Sequence, residues 1–551
     1  MRILLLAHSF NSLTQRLWVK LQELGHEVTL EFDVNDAVTI EAVALSSPDV
    51  IVAPFLKRAI PEVVWRDHLC LVVHPGPVGD AGPAALDWAV LEGAESWGVT
   101  VLRAEAAMDA GPVWASRRFP LRSATKSSLY RNEVADAAVE AVLEALDRIP
   151  DGSPARPETS VWRPAMKQAD RAVDWAEDDT ATVLRKIRSA DGTPGLLDEI
   201  AGVAVYLHDA DPAEGLAGPP GSLLARSGGA VARATRDGAV WIGHLRRKAP
   251  HALKLPATSV LEGTEALPEV PGHRDVRYEE VDGVGLLHFP FVNGAMSTQR
   301  CERLRDAFVA AAKRPTRVIV LMGGPDFWSN GIDLSSIETA ASPADESWAN
   351  INAMNDLCRE IICCDRQLTI AAMHGNAGAG GVFMALASHL VFAREDVILN
   401  PHYKGMGNLY GSEYWTYLLP RRCGPDKARE VTEARVPMGT LEAERLGLVD
   451  ARFGRSVAEF GAMVVERAKA LAADPHLDAL LAEKRAARAA DEAVKPLAAY
   501  RTEELDHMKL NFYGFDPSYH VARYNFIHKV PKSRTPSHLA RHRAGAHRRP
   551  S

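Results

Sequence analysis

Short apolar runs alternate with amphipathic helical stretches in two separate parts of the chain, about residues 1–150 and 281–455. The first part reads "RILLLA", then "SLTQRLWVKLQEL" closed by Gly25, then "HEVTLEF", "DVIVAPF" and "CLVVHP". The second reads "GVGLLHFPF", "STQRCERLRDAFVAAAKR", "RVIVLMGG" and "LTIAAMHG". Strand, helix, strand at this spacing predicts open α/β sheets. Between the two lies one helical pattern, "TATVLRKIRSA", and then short strands broken by "GPPGS", "SGG" and "RDG", which predicts a small β-rich domain. Residues 150–160 and 258–276 read as linkers, and the chain past about 455 is helical and rich in Ala. A chain of 551 residues is too long for one hydrophobic core. The expected fold class is α/β multidomain: an α/β domain over 1–155, a small β-rich domain over 160–258, a second α/β domain over 277–470, and a helical extension over 471–551 with a basic tail.

Composition narrows the function classes. Apolar residues make up 47% and charged residues 24%, as in an ordinary globular protein. The formal charge of −8 argues against nucleic acid as a bulk partner. No run reaches the ~18 apolar residues of a membrane span, and "MRILLLAHSF" reads as a buried first strand. The six cysteines form no C-x-x-C pair, so a reducing cytoplasm is expected. The histidines from His520 on are irregularly spaced and lack Cys or carboxylate partners, so no metal site is expected. The last 31 residues hold eight Lys or Arg and no acid. A solvated end is expected over 544–551, whereas "SRTPSHLARHR" has the cap chemistry of an ordered segment and could neutralise a phosphorylated ligand.

The first chemical candidate is His74 with Asp109. His74 ends the strand "CLVVHP", and Asp109 follows the strand "GVTVLRAE". Ligands of open α/β sheets sit at the carboxyl ends of strands, and a His beside a carboxylate moves protons near neutral pH. A satisfied strand-end His and a turn-forming Asp read the pattern equally well. The stretch resembles the 10-formyltetrahydrofolate-dependent formyltransferases, whose signature is Asn-x-His, a Pro/Gly loop, "GVT" and an Asp-Gly element. The resemblance implies a Rossmann-like domain with an OB-like β-barrel after it. It implies that His74 and Asp109 are catalytic. It also implies that the folate lies against Pro54, Phe55 and Leu56 and the loop that starts at Glu105. The family Asn, which donates to the formyl oxygen, is replaced by Val72.

The second candidate is a pair of Gly-bearing loops, "DFWSNGIDLSSI" and "HGNAGAGGVFMALA". With the late segment "LEAERLGLVD" they resemble the crotonase (enoyl-CoA hydratase/isomerase) superfamily. The resemblance implies a crotonase fold and an oxyanion hole made by the N–H groups of Ile332 and Gly380, beside Gly331, that binds a coenzyme A thioester. The two glutamates that handle Cα and Cβ protons in that family are missing: Phe383 and the region of His402 stand in their places. Enoyl hydration is therefore not expected. Glu413 and Tyr403 lie in the segment that lines the acyl end of the family's pocket, and are the candidate proton carriers. Glu413 also reads as a first-turn residue favoured by a helix dipole, and Tyr403, Tyr410 and Tyr414 as pocket wall.

A formyl thioester has neither Cα nor Cβ, so it would use the oxyanion hole and not the missing acids. Nearly the whole chain resembles a family of NiFe hydrogenase maturation proteins that join these two halves, through "VVHPGPVGDAG", "LYGSEYWTYLLPRR" and "YHVARYNFIHKVPKSRTPSHLARHR". That resemblance implies a cytoplasmic bifunctional enzyme with 10-formyltetrahydrofolate and coenzyme A as its small-molecule partners. It would make formyl-CoA and release CO for the hydrogenase iron, with maturation proteins or the hydrogenase large-subunit precursor as recipients. Two other readings stay open: a formyl-CoA hydrolase, and a folate- and CoA-binding scaffold without turnover.

Overall fold

The structure, a computed structural model, describes residues 1–152, 154–156, 160–273 and 276–544. The expected linkers and the expected solvated end therefore fall partly outside the described residues. The chain forms two compact units, Met1–His273 with Lys532–Ser551, and Arg274–Pro531.

The first unit opens with a six-stranded sheet in the order Glu27–Phe32, Arg2–Ala7, Val50–Phe55, Cys70–His74, Ser96–Arg103, Val113–Pro120. The first four strands are parallel, and the last two run antiparallel to their neighbours. Parallel strands are covered on both faces, which is why "RILLLA" is apolar at nearly every position: Ile3 to Ala7 are all at most 1% exposed. The second sheet is antiparallel, in the order Leu223–Ser227, Ala230–Ala234, Ala239–Arg247, Val203–Pro212, Leu196–Ile200, with Leu255–Pro256 on the third of these strands. Val183, Leu184 and Ile187 of the helix Thr180–Ser189 join its core. No ladder joins the end strands among the described residues, so the expected barrel is an open one.

The expected extension 471–551 divides between the units. Its helices Leu477–Val494, Leu497–Tyr513 and Ser518–Ile527 belong to the second unit, and the segment from Lys532 belongs to the first. That segment runs along the edge strand Glu27–Phe32. Leu30 donates to the Leu539 carbonyl (3.0 Å), and Phe32 to the Thr535 hydroxyl (2.8 Å). An open sheet edge is thereby covered. Three cations of the segment are engaged there: His542 and Arg543 on Glu31, Arg543 also on Glu41, and Arg541 over the Trp18 ring.

The second unit holds a six-stranded sheet, Arg277–Val281, Val284–His288, Val318–Gly323, Leu368–Met373, Leu390–Ala393, Ala451–Arg452, parallel after its first pair. A four-stranded sheet accompanies it: Phe327–Ser329, Asn376–Gly378, Ile398–Asn400, Met438–Gly439. Neighbouring strands of the small sheet end in the two Gly-bearing loops, so pairing of Phe327–Ser329 with Asn376–Gly378 brings those loops side by side. No helix among the described residues is long and apolar enough to cross a membrane.

Two candidate active sites

His74 ends a parallel strand and is 4% exposed. Its Nδ1 lies 3.5 Å from Asp109 Oδ2, so the expected pair is together. The closer partner was not foreseen: His74 Nε2 lies 2.8 Å from Asp80 Oδ2. The imidazole thus faces a carboxylate on each side. Asp109 has left-handed backbone (φ 54°), and its Oδ2 accepts the Gly82 N–H at 3.0 Å. That bond ties Asp109 to a loop 27 residues away, so it is a long-range contact and not an Asx turn. Val72, in the place of the family Asn, packs on the core of Leu4, Leu6 and Ile51. Pro54 and Phe55 end the neighbouring strand, where Phe55 meets the rings of His8 and Tyr130 edge-on. Leu56 packs on the same core as Val72. The Glu105 carboxylate is taken by Arg156 at 2.7 and 2.9 Å.

In the second unit the two loops meet as expected. A Cβ on Gly331 would lie 3.3 Å from the Gly380 nitrogen. A short bridge to Met296 uses the Gly331 carbonyl (2.9 Å) and the Asp333 N–H (3.2 Å), leaving the Ile332 N–H outside that ladder. Gly380 opens the helix Gly380–Leu386, where N–H groups have no intrahelical acceptor. Glycine fits there because a Cβ on Gly380 would stand 2.3 Å from Glu413 Oε1.

Glu413 and Tyr403 are brought together against that glycine. Tyr403 donates its hydroxyl to Glu413 Oε2 by a short hydrogen bond, and the Ser412 N–H reaches the same oxygen at 3.2 Å. Oε1 is the oxygen turned to Gly380. Burial, the largest cause, and the Glu504 charge push the Glu413 carboxyl up to about 7, against the pull of the Tyr403 hydroxyl and the Ser412 N–H. Burial and the Glu413 charge hold the Tyr403 phenol well above its ordinary range, so it stays a neutral donor. Phe383, in the place of the first hydratase acid, stacks on the Tyr403 ring (centroids 5.3 Å, 18° between planes). The ring that replaced the acid is therefore part of what holds the new one.

Glu413 is not a first-turn residue. The helix starts at Trp415, and Glu413 and Tyr414 before it are both left-handed (φ 61° and 58°). Each such residue costs roughly 1–2 kcal/mol without a glycine. The conformation is held by two residues that local sequence did not point to. Asn355 accepts the Glu413 N–H at 2.8 Å. Glu504, itself pushed up to about 7 by burial, accepts the N–H groups of Tyr414 (3.0 Å) and Thr416 (2.9 Å). Tyr414 is buried wall, and Tyr410 stacks on His507 at 4.1 Å. Asp209, Asp211 and His273 have ligand atoms within 4.8 Å of one another. Their carboxylates are already engaged, by His244 (2.9 Å) and Arg188 (3.2 Å).

Three family models match successive stretches: Formyl transferase over 29–146, Formyl transferase, C-terminal domain, over 165–263, and Enoyl-CoA hydratase/isomerase over 283–512. The hydrogenase maturation factor HoxX of Bradyrhizobium diazoefficiens is 58% identical, over 98% of this chain and 97% of its own. The chain belongs to the HypX (HoxX) family of hydrogenase maturation factors. A crystal structure of HypX from Aquifex aeolicus in complex with tetrahydrofolic acid is 49% identical, with a TM-score of 0.96, covering 98% of this chain and 99% of that one. The methionyl-tRNA formyltransferase of Ruegeria pomeroyi is 30% identical over 37% of this chain and 68% of its own length. The HypX family thus accounts for both the Rossmann-like formyltransferase half and the crotonase half expected from the sequence.

Proposed function

We propose that the chain transfers the formyl group of 10-formyltetrahydrofolate to coenzyme A and then splits formyl-CoA into CO and CoA. The CO supplies the iron of NiFe hydrogenase in the cytoplasm, through maturation proteins or the large-subunit precursor. In the first step the CoA sulfur attacks the formyl carbon. The C–S bond forms, the C–N10 bond breaks, and His74 carries the thiol proton toward N10. Asp109 and Asp80 flank the imidazole and stabilise its cation. The folate would lie against Pro54, Phe55, Leu56 and the loop from Glu105; that folate is the ligand at all is supported by the tetrahydrofolic acid complex of the Aquifex relative.

In the second step the N–H groups of Ile332 and Gly380 receive the thioester oxygen, each contributing roughly 3–4 kcal/mol to the transition state. Glu413 takes the formyl hydrogen as a proton. The C–S bond breaks, CO leaves, and the proton returns from Glu413 to the thiolate. No oxidant or reductant is needed, since CO and CoA together have the atoms of formyl-CoA. One observation carries this reading: a buried carboxyl held by Tyr403 through one oxygen turns its other oxygen to Gly380, in a pocket whose hydratase acid is a phenylalanine.

The test is turnover of formyl-labelled folate with CoA, with CO read by haemoglobin absorbance. The unmodified chain is expected to yield CO, His74→Ala no product, and Glu413→Gln accumulated formyl-CoA. Labelled formate in place of CO would make the chain a hydrolase. Binding of both ligands without any product would make it a scaffold.

A further inference from the structure

The loop that carries Asp80 is tied down from outside the α/β domain. Asp80–Ala81 pairs in parallel with Val161–Trp162, a two-residue strand just past the expected linker. Val161 donates to the Gly79 carbonyl and Arg163 to the Ala81 carbonyl, both at 2.7 Å. The Trp88 indole donates to the Pro164 carbonyl at 2.9 Å. Arg163 then turns its side chain back toward the catalytic loop. Its Nε donates to Asp80 Oδ1 at 2.8 Å, and its Nη1 spans both oxygens of Glu92 at 2.8 and 3.0 Å. Its guanidinium lies 5.4 Å from the centre of the Trp97 ring, and the Trp97 indole donates to the carbonyl of Pro75, the residue after His74.

We propose that Arg163 is a positioning residue of the first site, acting through Asp80 to fix the His74 ring. Asp80 uses one oxygen for Arg163 and the other for His74 Nε2, so the guanidinium sets where the carboxylate stands and the carboxylate sets the ring. The remaining nitrogen, Nδ1, is left to the Asp109 side. This is the logic of a base oriented by a third group, with a cation behind that group. The backbone is built around it: a Cβ on Gly76 would lie 2.4 Å from Asp80 Oδ2 and 2.5 Å from His74 Nε2. Arg suits the place because a planar fork can hold two carboxylates in fixed directions, and an ammonium cannot.

The inference rests on the reading that His74 handles the proton of formyl transfer, and the experiment separates the two. The full chain is assayed for CoA-dependent consumption of 10-formyltetrahydrofolate, with tetrahydrofolate binding and the ring ¹⁵N signals of His74 (assigned by their loss in His74→Gln) as further readouts. Arg163→Met is expected to lower kcat on the order of 10²-fold, to leave both KM values unchanged and to move the His74 signals. Arg163→Lys is expected to fall between it and the unmodified chain. Wild-type kcat and unmoved His74 signals in Arg163→Met and Arg163→Lys, with His74→Ala inactive, would overturn the proposal. A fully active His74→Ala would overturn the underlying reading instead. If Arg163→Met does not fold, Arg163→Lys and Glu92→Gln carry the same comparison.

Discussion

The Glu413 carboxyl is pushed up to about 7, because burial opposes its charge while Tyr403 and the Ser412 N–H only partly support it. In the proposed second step this group takes a proton from carbon and gives it to sulfur, and a carboxyl so raised suits both transfers. The ionised form is the one that takes the proton. CO release from added formyl-CoA is therefore expected to rise with pH through about 7. Tyr403→Phe removes a donor to the ionised form, so that midpoint is expected to move higher; a pH profile of the second step alone checks it. Glu413→Gln is expected to slow CO release by roughly 10²–10⁴-fold, the usual worth of a positioned proton carrier. Gly380→Ala would press a methyl group 2.3 Å from Glu413 Oε1. It is expected to abolish CO release and leave folate-to-CoA transfer intact, as separate assays of the two steps would read.

At the scale of elements, the helix Trp415–Cys423 is opened by an acceptor from another helix, Leu497–Tyr513, through Glu504. Glu504→Ala would leave the buried N–H groups of Tyr414 and Thr416 unpaired, at about 1–3 kcal/mol each. The chain just before that helix carries Glu413, so this variant is expected to lose CO release as well as stability. Glu504 and Glu413 are both raised in the folded chain, so folding favours their protonated forms. The stability they contribute is fully present below the ordinary carboxylate range and is lost as pH rises through about 7. Urea unfolding of the second unit is expected to weaken by a few kcal/mol between pH 5 and pH 8, and less in Glu504→Gln. These same elements mark what could be read in advance. The parallel strands announce themselves as unbroken apolar runs, and the two Gly-bearing loops announce the pair that the small sheet sets side by side. Asp80 hides in a loop, where only the glycines of "GPVGD" mark close packing. Asn355 and Glu504 reach Glu413 and Tyr414 across 58 and 90 residues. No local pattern encodes such contacts, nor the left-handed turn they impose on two residues that are not glycine.

For the molecule as a whole, the strand edge at Glu27–Phe32 is the place where distant sequence meets. Glu31 is completely buried there. Burial alone would push its carboxyl up, but hydrogen bonds from His542, Thr535 and Arg543 outweigh it and hold the carboxyl below its usual value. Its stabilising effect is therefore present above the ordinary carboxylate range and lost as pH falls. Truncation after Pro531 would strand that charge without partners, and is expected to destabilise the first unit by about 3–5 kcal/mol. Thermal unfolding, with hydrogen exchange at the Leu30 and Phe32 amides, would measure it. Thr535 meets Glu31 across 504 residues. During synthesis, then, the opening sheet emerges from the ribosome with a charged side chain that has nowhere to settle. It waits, one strand uncovered, until Thr535, 504 residues later, has been translated. A message cut short anywhere in the crotonase half yields a formyltransferase half that is itself unfinished.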